Sequence, residues 1–474
     1  MNKVEKVQNI HTMEDVGQSK QQANPLGVAP VGGLLRKFAI PSIVAMLVGA
    51  LYNIVDQVFI GHSIGELGNA ATNVAFPLST SCTALALLFG IGAASAFNLT
   101  MGRGEKEKAL HYIGNASTML FGCGLILCLI TQIFLEPMLV FFGSPENVLG
   151  YAIEYVRITS LGFPFLIFTM GGAHLIRADG SPRYSMICNL IGAVINTVLD
   201  PILIFGFHMG MTGAALATII GQIASSFMVL RYLRHYKAGK FTKEHLCPHL
   251  QYTGYAMSLG MAQCLNQLAM MLVQIVMNNS LTHYGALSVY GESIPLACSG
   301  IINKVSFIFF AFCIGIAQGM QPIASFNYGA KQYDRVKKVI RLSMTAGLVI
   351  CTVAFLMFQI FPRQIISLFG SGSELYFSFA ERYFRIYLFF TFLNNIQPMS
   401  STFLSSIGKP AKGTFLALTR QIIFLLPLLV ILPFFMGIDG IMYSGPISDL
   451  LAAIIATVLL TFELRNMGKS GIIC

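Results

Sequence analysis

Asp56, Asp200, Lys304 and Arg420 are four of the ionisable side chains inside long apolar stretches of this 474-residue chain. A charge in hydrocarbon is costly unless it is paired or hydrated, so such residues mark ion or substrate pathways by default. Asp200 has company. Asn189, Asn196 and Asp200 are spaced by 7 and 11 residues from the first, steps that at about 100° per residue put the other two roughly 20° to either side of Asn189 on one helix face. Tyr52, Asn53 and Asp56 share a face in the same way. Two carboxylates from different helices in a low dielectric do not both stay ionised; one holds a proton or the two share a cation. That is the chemistry of a coupling-ion site for H⁺ or Na⁺. The competing reading is that Asp200, which precedes Pro201, caps a kink while Asp56 stands in water near the outer surface.

The elements that position these residues follow from composition. With 55% hydrophobic and 11% charged residues and a mean hydropathy of +0.69, the chain is too apolar for a soluble protein. Stretches long enough to cross roughly 30 Å of hydrocarbon as helices fall near 38–60, 69–97, 109–134, 150–176, 184–206, 212–233, 255–281, 288–318, 340–361, 380–404, 413–435 and 440–462. The fold class is therefore an all-α integral membrane protein with twelve spans. A transmembrane barrel is disfavoured, because runs such as 422–435 are continuously apolar rather than alternating. Residues 1–30 are polar and carry no signal peptide.

The chain also repeats itself. Glu154–Ile158 (EYVRI) returns as Arg382–Ile386 (RYFRI) and Gly180-Ser181-Pro182 as Gly408-Lys409-Pro410, both at an offset of 228; Phe142-Gly143-Ser144 and Met209–Gly213 return at 227, as 369–371 and Met436–Gly440. The polar stretch 230–255 separates the halves, giving a tail at 1–33, a first lobe at 34–235, a linker at 236–252, a second lobe at 253–466 and a tail at 467–474. Six spans per lobe is an even number, so the repeats are parallel, a plan typical of secondary transporters. Of 30 Lys and Arg, 24 fall on one side, in the tails, the even-numbered loops and the linker, which puts both termini in the cytoplasm. A net charge of +10 spread over short loops reads as topology rather than as a nucleic-acid surface. Ten scattered cysteines without a C-x-x-C pair read as packing residues rather than as a metal or disulfide framework.

The halves differ in chemistry. At offset 228 the stripe Asn189, Asn196, Asp200 becomes Ala417, Phe424 and Leu428, so ion chemistry belongs to the first half. The second half offers Gln263, Gln267, Met270, Gln274 and Met277 on the seventh span and Asn394, Asn395 and Gln397 on the tenth. Thioethers beside neutral amides suit a cleft for varied amphipathic ligands; ordinary helix packing explains each Met equally well. Lys304 either pairs with a carboxylate or repels a cationic ligand, and backbone carbonyls are one candidate partner for Arg420; the sequence does not choose among these roles.

Four segments, 40–61 (IPSIVAMLVGALYNIVDQVFIG), 176–186 (IRADGSPRYSM), 192–205 (GAVINTVLDPILIF) and 319–338 (GMQPIASFNYGAKQYDRVKK), resemble the multidrug and toxic compound extrusion (MATE) family, most of all its MepA-like bacterial branch. The resemblance spans about 34–466. It implies a V-shaped pair of pseudo-symmetric six-helix bundles in the bacterial cytoplasmic membrane, working as a monomer. It also implies export of amphipathic, often cationic small molecules in exchange for H⁺ or Na⁺, with no other cofactor. By resemblance, the cation site comprises Asp56, Asn196, Asp200 and Thr218, and Pro41 is the proline at which helix one bends. The substrate cleft is read to include Tyr52, Asn53, Asn189, Gln263, Gln267, Met270, Gln274, Asn394, Asn395 and Gln397. An Asn expected on helix four is replaced by Ala173 and His174, which leaves the ion's identity open. The nearest rival is flipping of lipid-linked oligosaccharides within the same superfamily. A membrane-embedded enzyme finds little support, since H-E-x-x-H, Walker and aspartate-rich diphosphate motifs are all missing.

Overall fold

A computed structural model describes residues 24–291, 293–368 and 373–468. The tail 1–23, the landmark 369–371 and the end from Lys469 onward lie outside the described residues. In hydrocarbon every backbone polar group must find its partner within the segment, so continuously apolar runs become helices. Among the described residues 88% are helical and no strand forms.

In chain order the crossings are α1 (Val31–Ile64), α2 (Glu66–Gly102), α3 (Lys106–Ile133), α4 (Glu146–Ala178), α5 (Pro182–Gly206) and α6 (Gly210–Arg234). The second set is α7 (Leu250–Ala286), α8 (Ser293–Gly329), α9 (Tyr333–Ile360), α10 (374–406), α11 (Pro410–Met436) and α12 (Ile438–Asn466). Eleven of them hold a helix long and apolar enough to cross a bilayer. The remaining crossing, α10, is split into Glu374–Tyr387 and Ile396–Ser406 by a turn that includes a short tight helix at Thr391–Leu393. Its counterpart α4 is interrupted in register, by a tight turn at Ser160–Gly162. The repeat extends to the turns: Gly180 and Gly408 both have positive φ, 79° and 83°, a backbone that side-chain-bearing residues avoid. The proline two residues on starts the next helix in each case.

The lobes meet along α1 with α8 and α2 with α7, and glycines let the backbones touch. A Cβ on Gly260 would lie 1.9 Å from the Leu88 carbonyl oxygen, and one on Gly92 1.9 Å from that of Ala256. Gly315 and Gly319 sit against Ile43 and Ala39, and Gly102 and Gly329 against the backbone at Phe326 and Leu99. These contacts all lie in the half of the molecule that holds the basic loops. Toward the other end the helices separate, and α1 there exposes Leu51, Ile54 and Val58.

One departure from the simple lobe boundaries concerns α1 and α7. Leu34, Leu35, Phe38 and Ala39 of α1 are buried in a core made by α8, α9, α10 and α12 of the second lobe, whereas Ile60 joins the first-lobe core. Ala256 and Cys264 of α7 likewise join the first-lobe core, while Val273, Met277 and Leu281 pack in the second. Each of these helices therefore belongs to both lobes.

Candidate functional site

Close packing of α5 on α6 builds the site. Gly221 has the Gly192 carbonyl oxygen 2.6 Å from where a Cβ would be, and Gly192 faces Ser225 Oγ, so the two backbones approach closely enough for Asn196 to reach Thr218. Asn196 Nδ2 donates to Thr218 Oγ1 at 3.2 Å and to Asp200 Oδ1 at 3.4 Å. Pro201 lacks the N–H that would close the helix bond to the residue four earlier, and a π-helical stretch follows at Ile202–Gly206. Phe59 of α1 packs edge-on against Phe205 of that stretch, with centroids 6.3 Å apart, and holds the C-terminal half of α1 against α5.

This brings Asp56 beside Asp200, with the two carboxyls in hydrogen-bonding range of each other. Asp56 is 8% exposed, Asn196 2% and Asp200 0%. The Tyr52 hydroxyl reaches Thr218. Three acceptor atoms here, Asp56 Oδ1, Asn196 Oδ1 and Asp200 Oδ2, are buried without a hydrogen-bond donor. Two ionised carboxylates about 4 Å apart repel by about 4 kcal/mol at an effective dielectric near 20, and each orphaned acceptor adds its own desolvation cost. A proton or a hard monovalent cation removes both penalties at once. The donor set, two carboxylates with an amide and a hydroxyl oxygen, fits either ion. Among the described residues no cluster of three or more His, Cys, Asp or Glu side chains forms that would hold a metal.

The other sequence candidates divide. Asn53 Nδ2 donates to the Gly49 carbonyl of its own helix and Asn189 to that of Ser185, so neither joins the acidic group. His174, at the position where the resemblance expects an Asn, is buried against Arg177, Nδ1 to Nη2 2.8 Å. In the second lobe Gln263 donates to Thr402 at 2.9 Å. Gln274 links Asn278 and Asn303 between α7 and α8. Met270 is 44% exposed, and Gln267 is half-buried. Asn395 and Gln397 are buried and donate to the carbonyls of Met344 and Leu416, tying α10 to α9 and α11. Pro41 lies within a continuous α1, two residues from the Ala39 and Ile43 contacts with α8.

The sequence leaves the role of Arg420 open. Its Nε pairs with Asp449 Oδ1 of α12 at 2.5 Å, and Asn394 of α10 lies close to the same carboxyl. Sequence reasoning misses Asp449, although an acid within the apolar run 440–462 is the same signal that singles out Asp56. It misses Tyr155 of α4 as well, which lies near enough to Asp56, Tyr52 and Asp200 to feel their charge. The offset-228 counterpart of Tyr155 is Tyr383, a fully buried tyrosine of the second lobe, and that shared position in the repeated EYVRI/RYFRI segment is the available clue.

The MatE family pattern matches residues 41–202 and 262–431, well over half of the chain and one match in each lobe. The chain belongs to the MatE family. It is accordingly a multi-pass membrane transporter and not an enzyme. Among similar proteins are the multidrug export protein MepA of Staphylococcus aureus strain MSSA476, 26% identical over 445 residues and covering 92% of this chain and 95% of that protein, and MepA of Staphylococcus haemolyticus strain JCSC1435, 26% identical with 90% and 93% covered. Among solved structures, a ligand complex of the MATE multidrug transporter DinF-BH is 31% identical at a TM-score of 0.85, covering 94% of this chain and 98% of that one. An outward-facing MATE family transporter, 20% identical with 94% and 98% covered, shares the fold at a TM-score of 0.87.

Proposed function

We propose that this MatE family protein exports amphipathic, often cationic, drug-like molecules from the bacterial cytoplasm in exchange for H⁺ or Na⁺. Both termini lie in the cytoplasm, the basic loops mark the inner side, and a monomer suffices. The observation that carries this reading is the buried group of Asp56, Asn196 and Asp200, whose three orphaned acceptors call for one exchangeable positive charge. An ion entering from outside neutralises the carboxylates and shifts α1, the helix that spans both lobes, so that the outer cleft closes and substrate leaves; the lobes then rock inward. The similarity to MepA and DinF-BH supports the substrate class.

The test is exchange in proteoliposomes with imposed pH or Na⁺ gradients, following efflux of a cationic dye. Asp56→Asn and Asp200→Asn are expected to remove gradient-driven efflux while the protein still folds and binds dye. Gradient-driven efflux unchanged in both variants would refute the assignment.

A further inference from the structure

Between α1, α2 and α8, on the side where the lobes separate, lies a cavity of about 360 Å³. Its wall combines the apolar side chains of Ile54 and Val58 with Gln57, His62, Asn69 and Lys304. Lys304 is 11 residues from the start of α8 at Ser293, about 16 Å along the helix axis at 1.5 Å per residue. Among the described residues no carboxylate lies within ion-pairing distance of its ammonium. Asp56, the nearest acid in sequence on this stretch of α1, is turned into the first lobe toward Asp200. The neighbouring Asn303 is committed to Gln274 at 3.1 Å. The pocket thus presents an ammonium and the side-chain amides of Gln57 and Asn69, the latter with a buried oxygen that accepts no hydrogen bond, and no carboxylate among the described residues that line it, beside an apolar wall. An intramembrane cation of this kind marks a ligand path, and a purely cationic ligand is repelled by this one.

We propose that this pocket receives the anionic group, a carboxylate or similar oxyacid, of a zwitterionic amphiphile, whose aromatic cationic body lies along the rest of the cleft. The inference rests on the export function proposed above and narrows its substrate class. An anionic lipid headgroup offers the same oxyacid chemistry, and the experiment separates the two.

The full-length protein is placed in phosphatidylcholine nanodiscs and titrated, by fluorescence anisotropy, against rhodamine B, which carries a free carboxylate, and its ethyl ester, which does not. Lys304→Gln is expected to weaken rhodamine B binding by about tenfold or more, the loss of one charge-assisted contact, and to leave the ester unchanged or tighter. Lys304→Arg restores the zwitterion. Equal losses for both dyes, or no loss for rhodamine B, overturn the proposal, as does wild-type binding of the ester alone. Displacement of rhodamine B by added phosphatidylglycerol in the wild type but not in Lys304→Gln assigns the pocket to lipid and also overturns it. Failure of the wild type to bind either dye overturns the export reading itself.

Discussion

Arg420→Met tests whether the second lobe depends on a buried ion pair. The Arg420 side chain is 18% exposed and that of Asp449 2%, with Nε and Oδ1 2.5 Å apart, so the carboxylate is almost wholly shielded while the guanidinium keeps a little contact with solvent. Removing Arg420 strands a buried negative charge, which costs about 3–5 kcal/mol in comparable settings. Asp449→Leu strands the more exposed partner and costs less. The double variant Arg420→Met with Asp449→Leu removes both desolvation penalties, and is expected to recover most of the loss. The assay is thermal unfolding of all four proteins in one detergent, read as a double-mutant cycle. A coupling of at least about 2 kcal/mol is expected. Refutation is a double variant as unstable as Arg420→Met alone, or an Arg420→Met protein that melts with the wild type.

Three further outcomes follow from the geometry. Gly260→Val drives a side chain into the Leu88 carbonyl, 1.9 Å from the Cβ position, and is expected to prevent the lobes from joining; a monodisperse chromatographic peak with wild-type melting would count against the joint as described. Asn196→Leu removes the donor that bonds both Thr218 and Asp200, and is expected to raise the ion concentration for half-maximal efflux about tenfold with little change in dye affinity, measured by titrating the driving gradient. Pro41→Ala restores a helix hydrogen bond where α1 passes from one lobe to the other. It is expected to slow turnover severalfold while equilibrium dye binding persists, and unchanged turnover would remove Pro41 from the moving parts.

Long continuous apolar runs allow only one backbone solution in lipid, which is why the spans, the parallel repeat and the acidic stripe on α5 are legible in the sequence. The break in α10 is not, because 388–395 (LFFTFLNN) contains neither Gly nor Pro and stays as apolar as its flanks; only its twin at Ser160–Gly162 betrays it. Amide side chains mislead for a related reason. Asn395 and Gln397 look like ligand groups in a sequence, yet next to a broken helix they are spent on neighbouring carbonyls, since an unpaired backbone acceptor in the membrane interior must be satisfied locally. Asp449 carries the same signal as Asp56, an acid in an apolar run; what the sequence hides is its partner, 29 residues away on another helix, a distance no face or period reveals.

The two lobes are alike in fold and unlike in charge, and the difference falls on one pair of helices. Both α1 and α7 start in the core of the opposite lobe and end in their own. At offset 228, however, Pro41 of α1 corresponds to Ala269 of α7, and Asp56 to Tyr284. So α1 alone combines a missing backbone hydrogen bond near its change of lobe with a carboxylate in its outer half. Its inner half is fixed by backbone contact with Gly315 and Gly319, and its outer half faces a second carboxylate whose repulsion depends on whether a positive charge is present. Under the proposed function, a force that switches with ion binding, applied to the free end of a helix clamped at the other and softened between them, would bend that helix and leave its counterpart straight. On the proposed exchange of H⁺ or Na⁺, the second lobe, with Arg420 as a tethered cation on Asp449, would have no equivalent exchange to make, and the coupling would be asymmetric.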